Sequence, residues 1–154
     1  MPTAGQRILA ADFTDSASSE DSTAQSNITA TSGALSAGSP TVSVTFTAPT
    51  SGKALVSIGM RCRDDGAASS IVLDWELRED DVAGDVILAT GSVDRRMEIS
   101  IDSASSRTFN WTRDYLATGL TPGQVYYIRL MFYATPTGSA DIIHRRLHVV
   151  PIPA

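Results

Sequence analysis

Cysteine is almost missing from this 154-residue chain, and the single Cys62 leaves neither a disulfide framework nor a cysteine zinc site. Histidine is nearly as scarce. His144 and His148 are the only two, which leaves few bases to activate a nucleophile. No apolar run approaches the roughly 18 residues of a membrane-spanning helix, so no membrane partner is expected. Residues 1–10 lack a basic stretch followed by an apolar one, so no secretory signal is expected. Charge is also thin, at 19% of residues. The net charge of −5 argues against a nucleic-acid partner held through phosphates. Glycine-rich phosphate loops, dinucleotide fingerprints and the Gly-x-Ser-x-Gly elbow are all absent from the sequence. No cofactor and no enzyme activity are expected.

What the chain does contain is alternation. In Thr41–Thr47, Val42, Val44 and Phe46 share one face, and Pro49-Thr50-Ser51-Gly52 supplies a turn. In Ala54–Arg63, Val56, Ile58, Met60 and Cys62 share a face. In Ile71–Glu79, Ile71, Leu73, Trp75 and Leu77 point inward, and Asp74, Glu76 and Arg78 point to solvent. Further strands are predicted at 85–89, 97–101, 107–117, 124–134 and 141–150. No window of eleven residues carries a helical apolar stripe. The fold class is therefore all-β, an antiparallel β-sandwich of jelly-roll or immunoglobulin/fibronectin-like type. If β-strands 54–63 and 71–79 form a hairpin with Cys62 opposite Leu73, Arg61 falls opposite Asp74 on the wet face.

Residues 12–26 hold one large apolar side chain, Phe13, and follow the short apolar anchor Arg7-Ile8-Leu9. The domain reading is an extended N-terminal arm over 1–26 and a sandwich over 27–154. Arg7, Ile8, Leu9 and Phe13 are the candidate docking residues. Charge is uneven along the chain, with an acidic middle and an Arg-rich end that attract one another within or between copies. His144, Arg145 and Arg146 are on that account the candidate subunit contacts.

Other chemistry has weaker support. His144 and His148 lie about 13 Å apart along a strand, too far to share a metal. Glu79-Asp80-Asp81 with Asp85, and Asp64-Asp65, lack the alternating ligand spacing of a calcium loop and read as turns. Cys62 reads as a small buried hydrophobe, and Trp75 and Trp111 as core residues. Tyr127, Arg129, Met131 and Tyr133 give one strand an amphipathic second face of the kind a partner subunit covers.

Four segments carry resemblances. Leu120-Thr121-Pro122-Gly123-Gln124-Val125-Tyr126 resembles the tyrosine corner of fibronectin-type and immunoglobulin-like sandwiches, in which the hydroxyl bonds back to the preceding loop. Thr45-Phe46-Thr47-Ala48-Pro49-Thr50-Ser51-Gly52-Lys53-Ala54-Leu55-Val56 resembles a strand–turn–strand of tailed-phage virion structural proteins. The opening Pro2–Ile8, the corner Leu120–Tyr126 and the ending Arg145–Pro151 are similar to segments of structural proteins of phages and prophages of actinobacteria. The Arg-over-Lys usage, with Lys53 the lone lysine, agrees. The resemblance covers about a third of the chain. It implies a non-enzymatic structural protein on the virion surface: a head (capsid) decoration protein, a head fibre or a tail appendage, commonly a homotrimer, whose partners are other virion proteins. An alternative is a carbohydrate-binding adhesin module of a tail tip, stacking sugars on Trp111, Tyr115 and Tyr133.

Overall fold

The computed structural model describes residues 16–28, 35–64, 69–92, 94–101, 108–134 and 140–154. They form ten strands: β1 (Ala17–Asp21), β2 (Gln25–Ile28), β3 (Ser43–Thr47), β4 (Lys53–Asp64), β5 (Ser69–Glu79), β6 (Val86–Leu88), β7 (Met97–Ile101), β8 (Thr108–Ala117), β9 (Val125–Ala134) and β10 (Ala140–Ile152). All pairings are antiparallel. Sheet A runs β1-β10-β4-β8, with β2 following β1 along the same edge of β10. Sheet B runs β3-β9-β5-β6, with β7 taking the rest of the β5 edge. Among the described residues no helix is long and apolar enough to cross a membrane.

The period-two rows meet between the sheets. From sheet A come Val56, Ile58, Met60 and Cys62 on β4 with Leu147 and Val149 on β10. From sheet B come Ile71, Leu73, Trp75 and Leu77 on β5 with Ile128, Leu130 and Phe132 on β9. These inward faces were legible because alternation is a local property. Cys62 sits deep in this core, and burial pushes its thiol up to about 11, so it is an inert packing residue.

Strand pairing departs from the local expectation. β4 and β5 do not form a hairpin, because the chain passes from one sheet to the other between them. Arg61 lies opposite His144 and Asn110, and Asp74 lies opposite Met131. Alternation fixes a strand's inward face but not its neighbour, and in this sandwich β4 and β5 find their partners at a distance along the chain.

The N-terminal segment also differs. Residues 17–21 and 25–28 are strands that pair with β10, so the extended arm does not reach residue 26 as expected. Their polar side chains hid this, since an edge strand is held through its backbone and through Asp21, which meets Arg145. Arg7, Ile8, Leu9 and Phe13 lie outside the described residues.

One end of the sandwich is closed by a joint between two of the segments singled out above. The Tyr126 hydroxyl accepts the Thr121 N–H at 3.0 Å, as the corner predicts. The turn 49–52 packs directly on that corner. Leu120 N–H donates to Gly52 O at 3.1 Å, Gly123 N–H to Ala48 O at 2.9 Å, and Ala48 N–H to Gln124 O at 2.9 Å. Gly52 has φ +64°, and a Cβ there would stand 2.6 Å from Leu120 O, so only glycine fits.

Candidate interaction surface

The outer face of sheet A is polar. Cross-strand register lays out three rows: Ser18–His148–Ser57–Asp114, Glu20–Arg146–Gly59–Thr112, and His144–Arg61–Asn110. Over the first two rows lies a shallow depression of about 570 Å³, and a smaller one of about 220 Å³ adjoins it near Asn110 and His144. Several of the groups in it are paired with one another. Ser57 Oγ donates to Asp114 at 2.6 Å, Arg146 donates to Thr112 Oγ1 at 3.3 Å, and His144 Nε2 stands 3.7 Å from Glu20. Arg61 and Arg146 balance Glu20 and Asp114 in charge. His148 stands opposite Ser18 and Ser57 in the register, and the Ser57 hydroxyl is turned to Asp114.

The outer face of sheet B behaves differently. Asp74, Glu76 and Arg78 do point outward, but the chain after β5 folds over them. Asp74 is fully buried and accepts N–H donors from Trp75 at 2.8 Å and Gly91 at 2.6 Å. Glu76 bridges Arg78, at 2.8 Å, and Arg129 on β9. Arg78 also donates to Gly84 O at 3.0 Å. Half-buried Tyr127, Met131 and Tyr133 continue the face. The chain itself thus covers Asp74 and Glu76.

Glu76 gives this face a pH signature. Burial alone would raise its carboxyl, but hydrogen bonds and charge from Arg78 and Arg129 outweigh burial and hold it below the usual 4.5. Its stabilising contribution is therefore complete above about 4.5 and lost as pH falls through the lowered native value. Between pH 7 and pH 3 the urea midpoint of the wild type is expected to fall further than that of Glu76→Gln. Equal falls would show that the bridge does not couple to folding.

The turn carboxylates serve the backbone. Asp81 caps Ala83 N–H at 2.7 Å, and Asp80 accepts from Gln124 at 2.9 Å. Among the described residues no three side chains of metal-ligating type gather in one place. Asp65 lies outside the described residues.

The remaining sequence candidates separate. Arg146 is exposed and His144 half-buried on the outer face of sheet A, but Arg145 is fully buried and cannot contact another subunit. Neighbouring strand residues point to opposite faces, and Arg145 shares the inward row with Leu147 and Val149. Nor do Trp111, Tyr115 and Tyr133 make one sugar platform. Tyr115 packs into the interior against Trp75, with ring centroids 5.5 Å apart, and Tyr133 lies on the outer face of the other sheet.

Trp111 stands apart, because it is 51% exposed rather than a core residue. It lies on β8, the edge of sheet A, in the row Phe109–Trp111–Arg113–Tyr115 that registers with the inward row of β4. Tyr115 and Arg95 seal the interior over Trp75, and Arg113 bridges the layers by donating to Asp94 O at 2.7 Å and Arg96 O at 2.5 Å. Trp111 is beyond that seal. A charged Arg113 in an otherwise inward row was the one sequence sign that β8 is an edge.

No protein-family model matches the chain, and no curated protein matches it. Among solved structures it is similar to a chain of infectious bursal disease virus, Gx strain, at 10% identity and TM-score 0.41, over 91% of this chain and 34% of the viral one. It is also similar to the CBM22-1 xylan-binding domain of Paenibacillus barcinonensis Xyn10C, at 12% identity and TM-score 0.32, over 88% of this chain and 86% of that one. A third is tailspike protein 4 of bacteriophage CBA120, at 11% identity and TM-score 0.28, over 84% and 19%. The chain spans about a third of the length of the infectious bursal disease virus chain. The assignment to an all-β antiparallel sandwich rests on the chain's own two sheets.

Proposed function

We propose that this chain is a non-enzymatic structural protein of a virus particle, a head-decoration protein or comparable surface component that docks on other particle proteins. The observation that carries this reading is the joint between residues 45–56 and 120–126. The longest segment that resembles phage virion proteins packs with the tyrosine corner into one unit, which fixes how the two sheets meet. The paired polar face of sheet A agrees with a binding or scaffold role rather than with turnover.

The test is attachment. Added to virus particles that lack it, the purified chain is expected to co-sediment with them and to occupy symmetry-related exterior positions in electron micrographs. Deleting residues 1–13 removes nothing from the ten strands, so the body is expected to stay folded while attachment is lost. Attachment of the shortened chain at full occupancy overturns the arm's docking role. Failure of the intact chain to bind particles, with specific saccharide binding on a glycan array, overturns the structural reading in favour of the adhesin.

A further inference from the structure

We propose that the free edge of β8 is a self-association site, at which two copies of this chain pair β8 to β8 antiparallel and run sheet A across the boundary between them. This goes beyond the virion reading, since it concerns the free protein in solution.

The first observation is length. β8 spans ten residues, and among the described residues its sole strand partner is β4. The other edge strands are short: five residues in β1, four in β2, five in β3, three in β6 and five in β7. Soluble proteins protect a long edge with proline, charged side chains, a bulge or a covering segment. β8 has no proline and no lysine, its charges are confined to Arg113, which is turned to the carbonyls of Asp94 and Arg96, and Asp114, which is held by Ser57, and its register with β4 is unbroken from Thr108 to Ala117. Alternate backbone N–H and C=O groups along it therefore point outward and offer a template for another strand.

The second observation is the side chain on that edge. A tryptophan half in solvent is uncommon on an isolated domain and frequent at the centre of interfaces. The opposite side of the sandwich needs no such partner. There Arg145 ties Asp21 of β1 to the carbonyls of Ala37 and Pro40, closing the layers internally.

The third observation is complementarity in register. A twofold axis normal to the sheet keeps inward residues opposite inward residues, so only same-parity pairings are allowed. Centring on Thr112 pairs residues 108–116 throughout. It sets Trp111 against the partner's Arg113, Asn110 against the partner's Asp114 and Phe109 against the partner's Tyr115. The guanidinium of Arg113 is already held in place by Asp94 O and Arg96 O, which readies it for the tryptophan face. Centring one residue later sets Arg113 against the partner's Arg113, which like-charge repulsion disfavours. The pairing is twofold, where the virion resemblance implied a trimer.

The experiment uses the full chain in sedimentation-velocity runs between 1 and 100 µM. Expected are a mass of twice 16.3 kDa at the upper end and, on dilution, a red shift of tryptophan emission from Trp111, with Trp75 silent in the core. Trp111→Lys is expected to weaken association by about 30-fold or more, the size of an interface hot spot, with unchanged circular dichroism and melting. Thr112→Cys is expected to form a covalent dimer under mild oxidation, and Ser18→Cys on the far edge is not. A monomer at 100 µM overturns the proposal. So does a trimer, a dimer indifferent to Trp111→Lys, cross-linking through Ser18→Cys alone, or a dimer abolished by deleting residues 1–13 but not by Trp111→Lys.

Discussion

Asp74→Arg is expected to destabilise the protein severely, even though the residue sits in the polar row of its strand. The carboxylate is fully buried and takes N–H donors from Trp75 and Gly91. Each such charge-assisted bond contributes about 1.5–3 kcal/mol. Substitution strips both donors of their acceptor and forces an unpaired guanidinium into a covered site, a combination worth about 4–5 kcal/mol or more. Against a typical total stability of about 5–15 kcal/mol, that removes roughly a third of it or more. Asp74→Asn keeps one oxygen and is expected to cost about 1–2 kcal/mol. Asp85→Arg, on the exposed turn nearby, is expected to stay within about 0.5 kcal/mol. Urea unfolding of the three variants checks the order. An Asp74→Arg protein that melts like the wild type would mean that the chain around Gly91 does not cover this site.

The second large effect falls on two adjacent arginines that the sequence treats alike. Arg145 is fully buried, its guanidinium 5.3 Å from the Phe132 ring centre, and it donates to Asp21 and to the carbonyls of Ala37, at 3.3 Å, and Pro40, at 3.0 Å. Gly38 at φ +72° lets the loop wrap this group so closely that a Cβ there would stand 2.5 Å from Nη1. Arg145→Ala opens a cavity beside Phe132, orphans two carbonyls and frees β1 from its anchor. The expected loss is about 3–5 kcal/mol. Arg146→Ala removes an exposed side chain with one long hydrogen bond, to Thr112, and is expected to change stability by under about 0.5 kcal/mol. Equal midpoints for the two variants would contradict the inward placement of Arg145.

These two cases also mark where sequence reasoning stops. The strands and their inward rows were legible, because an apolar residue at every second position needs only its own strand for explanation. Which strands pair is a property of the whole chain, and the local hairpin of β4 with β5 failed for that reason. Asp74 and Glu76 followed the polar period correctly, yet solvent reaches neither fully, because residues far along the chain fold back over them. β1 gives no apolar signal at all, and its place beside β10 depends on backbone pairing and on Asp21 reaching an arginine more than a hundred residues away. For the candidate surface, Trp111 was visible as a tryptophan and invisible as an exposed one, since edge position follows from sheet order.

The placement of β10 between β1 and β4 sets a schedule for biosynthesis. During translation β1, β2 and β4 emerge early, but the strand that joins them comes only with residues 140–152. Until the ribosome has delivered that segment, β1 and β2 have no strand to pair with and β4 is paired along its β8 edge alone, and contacts of such long sequence separation are slow to close. Sheet A is therefore the last layer to close, and until then the nascent sandwich lacks the Leu147 and Val149 side of its core, the interval in which misassembly is easiest.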